Sequence, residues 1–483
     1  MEPLLPCSIT LPGCGSRRLQ RDLHHQLRGA ITDGRLQAGF RLPSSRRLAS
    51  GFGISRNTVV STYDLLLSEG YLVARRGSGT CVADTLPRTS RHRSPARGST
   101  AARHLNAYWR KFSASSGAPS SVPPFFFRLG APDPGSFPVD QWRRASNQVL
   151  RTLRRADRGD ASAQGRLALR EAIAQQVSFT RAVACTAADV IVTAGAQQAF
   201  ELLARVLVTP RRTTVALEDP GYPPMRACFE AVAAKVAPIP VDQEGLMVSR
   251  LPAQARIICV TPSHQFPLGC VLSARRRAAL LDFARTRGAV VIEDDYDGEF
   301  RFEDRPLDAL QTLDRTESVF YVGTFSKSLM PTLRLGYIVT PPWARAALLA
   351  AKGVSDGPCC ALTQDTLSIL MQEGHLARHV RSMQRTYAAR RELLLGLLRR
   401  ELPAWLQAIP SSAGLHASAF LSPGFDDGEV ERLALAAGVG IRAFSAFALR
   451  RSAPRGIAFG FGAISESGVV EGITRLRRAL EKS

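Results

Sequence analysis

Lysine is scarce in this chain. Of 63 basic residues only Lys111, Lys235, Lys327, Lys352 and Lys482 are not arginine, so a lysine set in a polar loop stands out. Long apolar runs are missing. None approaches the roughly 18 residues of a membrane-spanning helix, which excludes such a helix. The opening MEPLLPCSITLPGCGSRR has neither a basic n-region nor an apolar h-region, so no secretory leader is expected. No C-x-x-C occurs among the nine scattered cysteines, although Cys359 and Cys360 are adjacent. Neither a disulfide framework nor a zinc site follows, no metal is expected, and reduced thiols in a cytoplasm are the default. No repeat of solenoid length is present. An apolar share of 45% and a charged share of 22% exclude a wholly disordered chain, a coiled coil and a collagen-like fibre. The 483 residues are enough for about three domains, or one small and one large.

What is abundant is arginine. The net charge is +22, and residues up to His104 carry sixteen arginines against six acids, or +10. A basic N-terminal module suits a polyanionic partner. An arginine-rich composition throughout the chain would swell the same count.

Residues 17–83 read as one compact unit. Leu19, Leu23, Leu27, Ala30 and Ile31 share one face of a helix that Gly34 ends. Ser44 or Ser45 can cap a short helix through Phe52. Gly53 makes a tight turn, and Ser55 caps a second helix with Val59, Tyr63, Leu66 and Leu67 inward. That is helix-turn-helix spacing. Ser55, Arg56, Asn57 and Thr58 in its first turn can reach base edges and phosphates. YLVARRGSGTCV then reads as a hairpin with Arg75, Arg76, Gly77, Ser78 and Gly79 at its tip, a basic wing able to approach a DNA backbone or minor groove. Residues 84–124, rich in Ser, Pro and Arg, read as an exposed linker.

From Phe125 to residue 483 the pattern is α/β. Apolar runs at 190–195, 214–219, 256–262, 289–295 and 319–324 alternate with helix-like stretches such as 197–207 and 273–288. This predicts a largely parallel sheet with ligand groups at the strand ends. Lys327 lies in such a loop with Thr324, Ser326 and Ser328, and Arg334 follows. A Schiff-base lysine needs a polar cradle, and a phosphate-bearing aldehyde needs hydroxyl and guanidinium partners. Thr324 and Arg334 suit that phosphate. Asp294 ends an apolar strand, where a carboxylate can pair with a pyridinium nitrogen and the phenol of Tyr296 can bond a ring oxygen. The same Asp-Asp-Tyr also suits a metal site or a helix cap. The amides of Ala196 and Gln197 open a helix and make an anion site. Tyr222 follows a tight turn, and His264 and Gln265 sit at another strand end.

The stretch RLPSSRRLASGFGISRNTVVSTYDLLLSEGYLVARRGSGT resembles the winged helix-turn-helix of GntR-type transcription factors over about 18–83. The resemblance implies operator binding through Ser44, Ser45, Arg46, the Ser55–Thr58 turn and the wing. Residues 125–483 resemble fold-type I pyridoxal 5′-phosphate (PLP) aminotransferases. That implies Lys327 as the Schiff-base lysine, Asp294 on the pyridine nitrogen, Tyr296 on the ring oxygen, Thr324 and Arg334 on the phosphate, and Tyr222 along the ring. Both halves together, with EDPGY, TPSHQFPLG, IEDDYDGEF and GTFSKSLMPTLRLGY, resemble the MocR family. This implies a cytoplasmic regulator that binds double-stranded operator DNA, senses a small-molecule effector and forms a domain-swapped homodimer.

The pattern departs from that family at three places. Pro224 and Ala458 stand where arginines for an effector carboxylate are usual, with Arg442 and Arg455 nearby but out of register. Arg158 and Ala161 replace the Tyr and Pro of a Tyr-Gly-Asp-Pro phrase. The effector is then PLP itself, a sulfonate or amine, or an amino acid held by a different arginine. The competing function is a working PLP-dependent aminotransferase with a DNA-binding appendage. The pair in HLARH, His375 and His379, is expected at the surface.

Overall fold

The computed structural model describes residues 4–11, 18–75, 79–84, 104–106, 108–110, 112, 122–152, 162–302 and 308–482. The chain divides into two compact units, Met1–Leu105 and Asn106–Ser483.

The small unit is built from Leu19–Thr32, Ser45–Phe52 and Arg56–Ser68 helices and a hairpin of Leu72–Arg75 with Gly79–Val82. Its helix ends are set locally. Ser44 Oγ accepts the Arg47 amide at 3.3 Å and Ser55 Oγ accepts the Thr58 amide at 3.1 Å, caps worth about 1 kcal/mol each. Gly53 ends the first of the two helices at φ 64°, the left-handed region that glycine enters without strain. Leu23, Leu27, Ile31, Leu48, Val59, Leu66 and Leu72 share one core. Leu5 is buried in that core too, so the packed unit begins ahead of residue 17.

The large unit is an eight-stranded sheet in the order Val190–Thr193, Gly336–Val339, Val319–Thr324, Val290–Asp295, Ala255–Val260, Thr214–Asp219, Lys235–Asp242, Gly245–Leu246. Six strands run parallel; Gly336–Val339 and Gly245–Leu246 run against them. The fold class is α/β: the small unit is a winged helix-turn-helix and the large unit is built on a mostly parallel sheet. Helices on both faces bury both sides of the central strands. Their sequences are therefore continuous apolar runs rather than alternating ones. Every residue of Val319–Thr324 is buried. A second, antiparallel sheet holds Leu406–Ala408, His416–Leu421, Gly456–Gly460 and Arg442–Ala443. The 27-residue helix His375–Glu401 packs on it through Leu394, Leu395 and Leu398.

Part of the expected linker belongs to the large unit. Tyr108 and Trp109 have ring centroids 5.1 Å apart, and the Tyr108 hydroxyl meets Glu230 at 3.5 Å. Residues 85–103 and 113–121 of that linker lie outside the described residues, as do Arg76, Gly77, Ser78, Arg158 and Ala161. Among the described residues no helix is long and apolar enough to cross a membrane.

Candidate functional site

The parallel strands end on one side, and their carboxyl ends open into a cavity of about 540 Å³. Ala196, Gln197, Tyr222, Asp294, Tyr296, Thr324, Ser326, Lys327 and Arg334 all line it. These nine come from five separate sequence segments. The sheet brings them together because each lies at the carboxyl end of a parallel strand, in the connection that follows one, or at the start of the helix after one.

Lys327 is held from below. Its Nζ donates to the Gly130 carbonyl at 2.7 Å. Burial and the nearby Arg128 charge push its amine below the ordinary value, while Asp297 and Asp294 pull the other way. A Cβ on Gly130, which sits at φ 59°, would come within 2.5 Å of that amine. Glycine there keeps backbone and amine in contact.

Asp294 is buried, and among the described residues its Oδ1 has no hydrogen-bond partner. Desolvation, with Asp295 and Asp297 close, holds its carboxyl well above the usual range. An unpaired buried carboxylate oxygen is costly unless a donor meets it. A pyridinium N–H is such a donor. The neighbouring Asp295 is satisfied by protein alone: Arg181 Nε donates to it at 2.7 Å and the Tyr321 hydroxyl at 2.5 Å.

Tyr296 donates through its hydroxyl toward His264, whose Nδ1 and carbonyl oxygen each lie 3.0 Å away. His264 Nδ1 also meets Asp297 Oδ2 at 2.9 Å and its Nε2 meets Ser411 Oγ at 3.2 Å. The His416 ring lies tilted at 41° to that of His264, 4.5 Å between centroids, and its Nε2 meets the Pro267 carbonyl at 3.0 Å. Burial holds the His416 imidazole well below its ordinary value. His264, Asp297 and His416 are close enough to ligate a cation. Each nevertheless already has a protein hydrogen-bond partner, so the cluster reads as a network that fixes Tyr296.

The anion cradle is on the other flank. Thr324 Oγ1 bonds Ser326 Oγ at 3.0 Å and accepts the Ser326 amide at 3.2 Å. Arg334 Nη2 donates to the Ala194 carbonyl at 2.6 Å beside the start of the Ala196–Leu207 helix. Gly195 caps that helix without a side chain, leaving the first-turn amides of Ala196 and Gln197 to an anion. Gly336 lets this turn approach: a Cβ there would meet the Gly195 and Ala196 backbone at 2.8–2.9 Å. Tyr222 lies edge-on to Phe266, 5.7 Å between rings. The donor set fits PLP: an amine, an orphaned carboxylate, a fixed phenol and an oxyanion cradle.

Several lining groups were not visible as site residues in the sequence. Phe126, Arg128 and Gly130 enter from one chain region, and His416 and Phe447 from another over 280 residues later; Arg442, expected only as an arginine near the missing clamp position, also lines the cavity. Pro224 lines the cavity, whereas Ala458 is fully buried in its strand. Arg455 bonds Asp427 at 2.8 Å and does not line the cavity. His379 is half-buried rather than at the surface, and its imidazole meets the Ser328 backbone, one residue from Lys327.

In the small unit Ser44, Arg46, Ser55, Arg56, Asn57, Arg75 and Gly79 are exposed; Ser45 and Thr58 are half-buried. Arg56 Nε reaches Ser45 Oγ at 3.5 Å, joining the starts of the two helices. Arg75 is paired with Asp84.

A winged helix-turn-helix joined to a fold-type I aminotransferase-like domain defines the class of the molecule. The family model of bacterial regulatory proteins, gntR family, matches residues 19–82, and that of aminotransferase class I and II matches 127–455. The chain is 35% identical to the probable rhizopine catabolism regulatory protein MocR of Rhizobium meliloti, over 95% of this chain and 93% of that one. It is 34% identical to the pyridoxine biosynthesis transcriptional regulator PdxR of Corynebacterium glutamicum, over 92% of each. Among solved structures, Pyrococcus horikoshii kynurenine aminotransferase matches with a TM-score of 0.72 at 24% identity, covering 80% of this chain and 98% of that one. The chain belongs to the MocR family of GntR-type transcriptional regulators.

Proposed function

We propose that this DNA-binding regulator uses its PLP domain as a sensor, with Lys327 as the residue through which a small ligand is read. When bound, PLP supplies an aldehyde that Lys327 can hold covalently and that an amine ligand can take over. Asp294 then accepts the pyridinium N–H, Tyr296 positions the ring oxygen, and Thr324, Ser326, Arg334 and the Ala196 and Gln197 amides hold the phosphate. Tyr222 flanks the ring. The single observation that carries this reading is the buried, unpartnered Asp294 Oδ1 in the same cavity as the Lys327 amine. A protein that only dimerised through this domain would gain nothing from that orphaned atom.

Ser44, Ser45, Arg46, Ser55, Arg56, Asn57, Thr58 and the wing at Arg75, Arg76, Gly77 and Gly79 read the operator. The effector is an amine-bearing ligand or PLP itself; the Corynebacterium relative is named for pyridoxine biosynthesis. Ligand exchange at Lys327 favours one of two domain arrangements of a domain-swapped homodimer and so resets operator affinity.

The test is an absorption spectrum of PLP-loaded full-length protein before and after borohydride, beside Lys327→Ala. A visible band that borohydride fixes to wild type and that is lost in the variant is expected. Wild type without such a band overturns the reading. Steady turnover of an amino donor with a keto acceptor favours the second reading, a working aminotransferase, whose supporting observation is the complete set of polar groups around Lys327.

A further inference from the structure

The helix Pro342–Ser355 turns Ala344, Leu348 and Lys352 inward at four-residue spacing, one above another on a single face. The first two are apolar. The third is a lysine with no exposed surface. A buried ammonium is costly unless its N–H groups are met. Its three donors find three partners: Asp356 Oδ1 at 2.8 Å, Gln198 Oε1 at 3.3 Å and Cys359 Sγ at 3.5 Å. The ion pair with Asp356 explains how the charge is tolerated. It does not explain why a cation stands where a methionine or leucine would complete the apolar stripe.

Gln198 supplies the reason. It lies in the first turn of the Ala196–Leu207 helix, and the same Oε1 accepts the Ala194 amide at 2.7 Å. A glutamine amide can turn over, exchanging its oxygen for NH2. Two donors on one oxygen, Lys352 Nζ and the Ala194 N–H, oppose that exchange, because the turned-over amide would set NH2 against both. Ala194 is thereby gripped at both its backbone groups: its N–H by Gln198 and its carbonyl by Arg334 at 2.6 Å. Gly195 and the amides of Ala196 and Gln197 follow directly.

We propose that Lys352 is a positioning residue for the anion cradle: through Gln198 it fixes the Ala194–Gly195 turn and so aims the Ala196 and Gln197 amides at the phosphate of PLP. Lys352 itself does not line the cavity. The proposal rests on the assignment of the cradle to that phosphate.

The experiment measures binding of PLP, pyridoxal and inorganic phosphate to full-length wild type, Lys352→Met, Gln198→Met and Asp356→Asn. Pyridoxal carries the ring and aldehyde without the phosphate, so the ratio of PLP to pyridoxal affinity isolates the cradle. Lys352→Met is expected to lower that ratio about tenfold with pyridoxal affinity unchanged. Gln198→Met cuts the same link from its half-buried end and should give the same loss. Asp356→Asn weakens the ion pair but not the Gln198 bond, so melting falls while the ratio holds. A merely structural lysine would lower PLP and pyridoxal affinity together in Lys352→Met, or shift melting alone; either result overturns the proposal. Should Lys352→Met fail to fold, an unchanged ratio in Gln198→Met overturns it equally. If wild type fixes neither aldehyde on borohydride treatment yet binds phosphate, and the two methionine variants lose that phosphate, the brace stands and the cofactor reading falls. If wild type fixes PLP and both variants keep the ratio, the cofactor reading stands and the brace falls. Wild type that binds none of the three probes overturns both.

Discussion

Asp294 and Asp295 are adjacent in the Val290–Asp295 strand and face opposite environments. Asp294 points into the cavity with an unpaired oxygen, and Asp295 is clamped on the other side by Arg181 and Tyr321. Strand alternation alone separates them. The two variants should therefore fail differently. Asp295→Ala leaves the buried Arg181 guanidinium without its main partner, a loss of about 3–5 kcal/mol. Asp294→Asn removes no protein partner, so melting should stay within about 1 kcal/mol of wild type while PLP affinity falls about tenfold or more. Thermal melts and PLP titrations of both variants check this. Equal destabilisation by the two would contradict the opposite-face assignment.

Lys327 should capture PLP with a pH profile set by its depressed amine. The neutral amine is the nucleophile, so capture rises with pH through the folded pKa. Burial moves that pKa below the ordinary 10.5, so the midpoint of the rate profile lies below 10.5. Arg128 contributes to the depression, so Arg128→Gln should move the midpoint upward. Stopped-flow rates of PLP uptake against pH measure both; a wild-type midpoint at or above 10.5 would refute the environment described.

Gly130→Ala tests the floor of the site. Alanine at φ 59° costs about 1–2 kcal/mol of backbone strain. Its Cβ would lie 2.5 Å from the Lys327 amine, which must move. A modest drop in melting temperature together with slowed PLP uptake is the expected pair of results. Unchanged uptake would mean that the Lys327 contact with the Gly130 carbonyl does not position the amine.

The sequence was most legible where chemistry is local. The two serine caps, the Gly53 turn and the wing hairpin are written in consecutive residues. The central strands were readable because burial on both faces makes them uniformly apolar. Strand ends then located Asp294, Thr324 and the Ala196 turn. What stayed hidden depends on distant pairing. Gly130 meets Lys327 across 197 residues, and Arg181 meets Asp295 across 114. No local periodicity encodes either contact. Arg442 looked out of register with Ala458 because a linear comparison cannot show cross-strand neighbours. Arg455 looked equivalent to it, yet its partners Asp426 and Asp427 tie it elsewhere. His379 seemed a surface residue because the helical spacing of HLARH shows one turn of a helix but not what packs against it.

The small unit yields a prediction in which stability and affinity separate. Ser55→Ala removes the cap of the Arg56–Ser68 helix, whose Oγ accepts the Thr58 amide at 3.1 Å. This should cost about 1 kcal/mol of local stability and weaken all DNA binding. Arg46→Ala and Arg56→Ala remove exposed guanidinium groups without burying anything. If each neutralises one phosphate, each lowers the slope of log affinity against log salt by about 0.9, with little change in melting. Arg56 differs from Arg46 in being oriented by Ser45 at 3.5 Å. A guanidinium so placed at the first turn of the recognition helix is suited to a base edge, and loss of such a contact costs about 1–3 kcal/mol on operator DNA only. Anisotropy titrations of full-length variants on operator and random duplexes, at several salt concentrations, distinguish the two roles. Unaltered affinity and salt slope in both arginine variants would remove this face from the DNA interface.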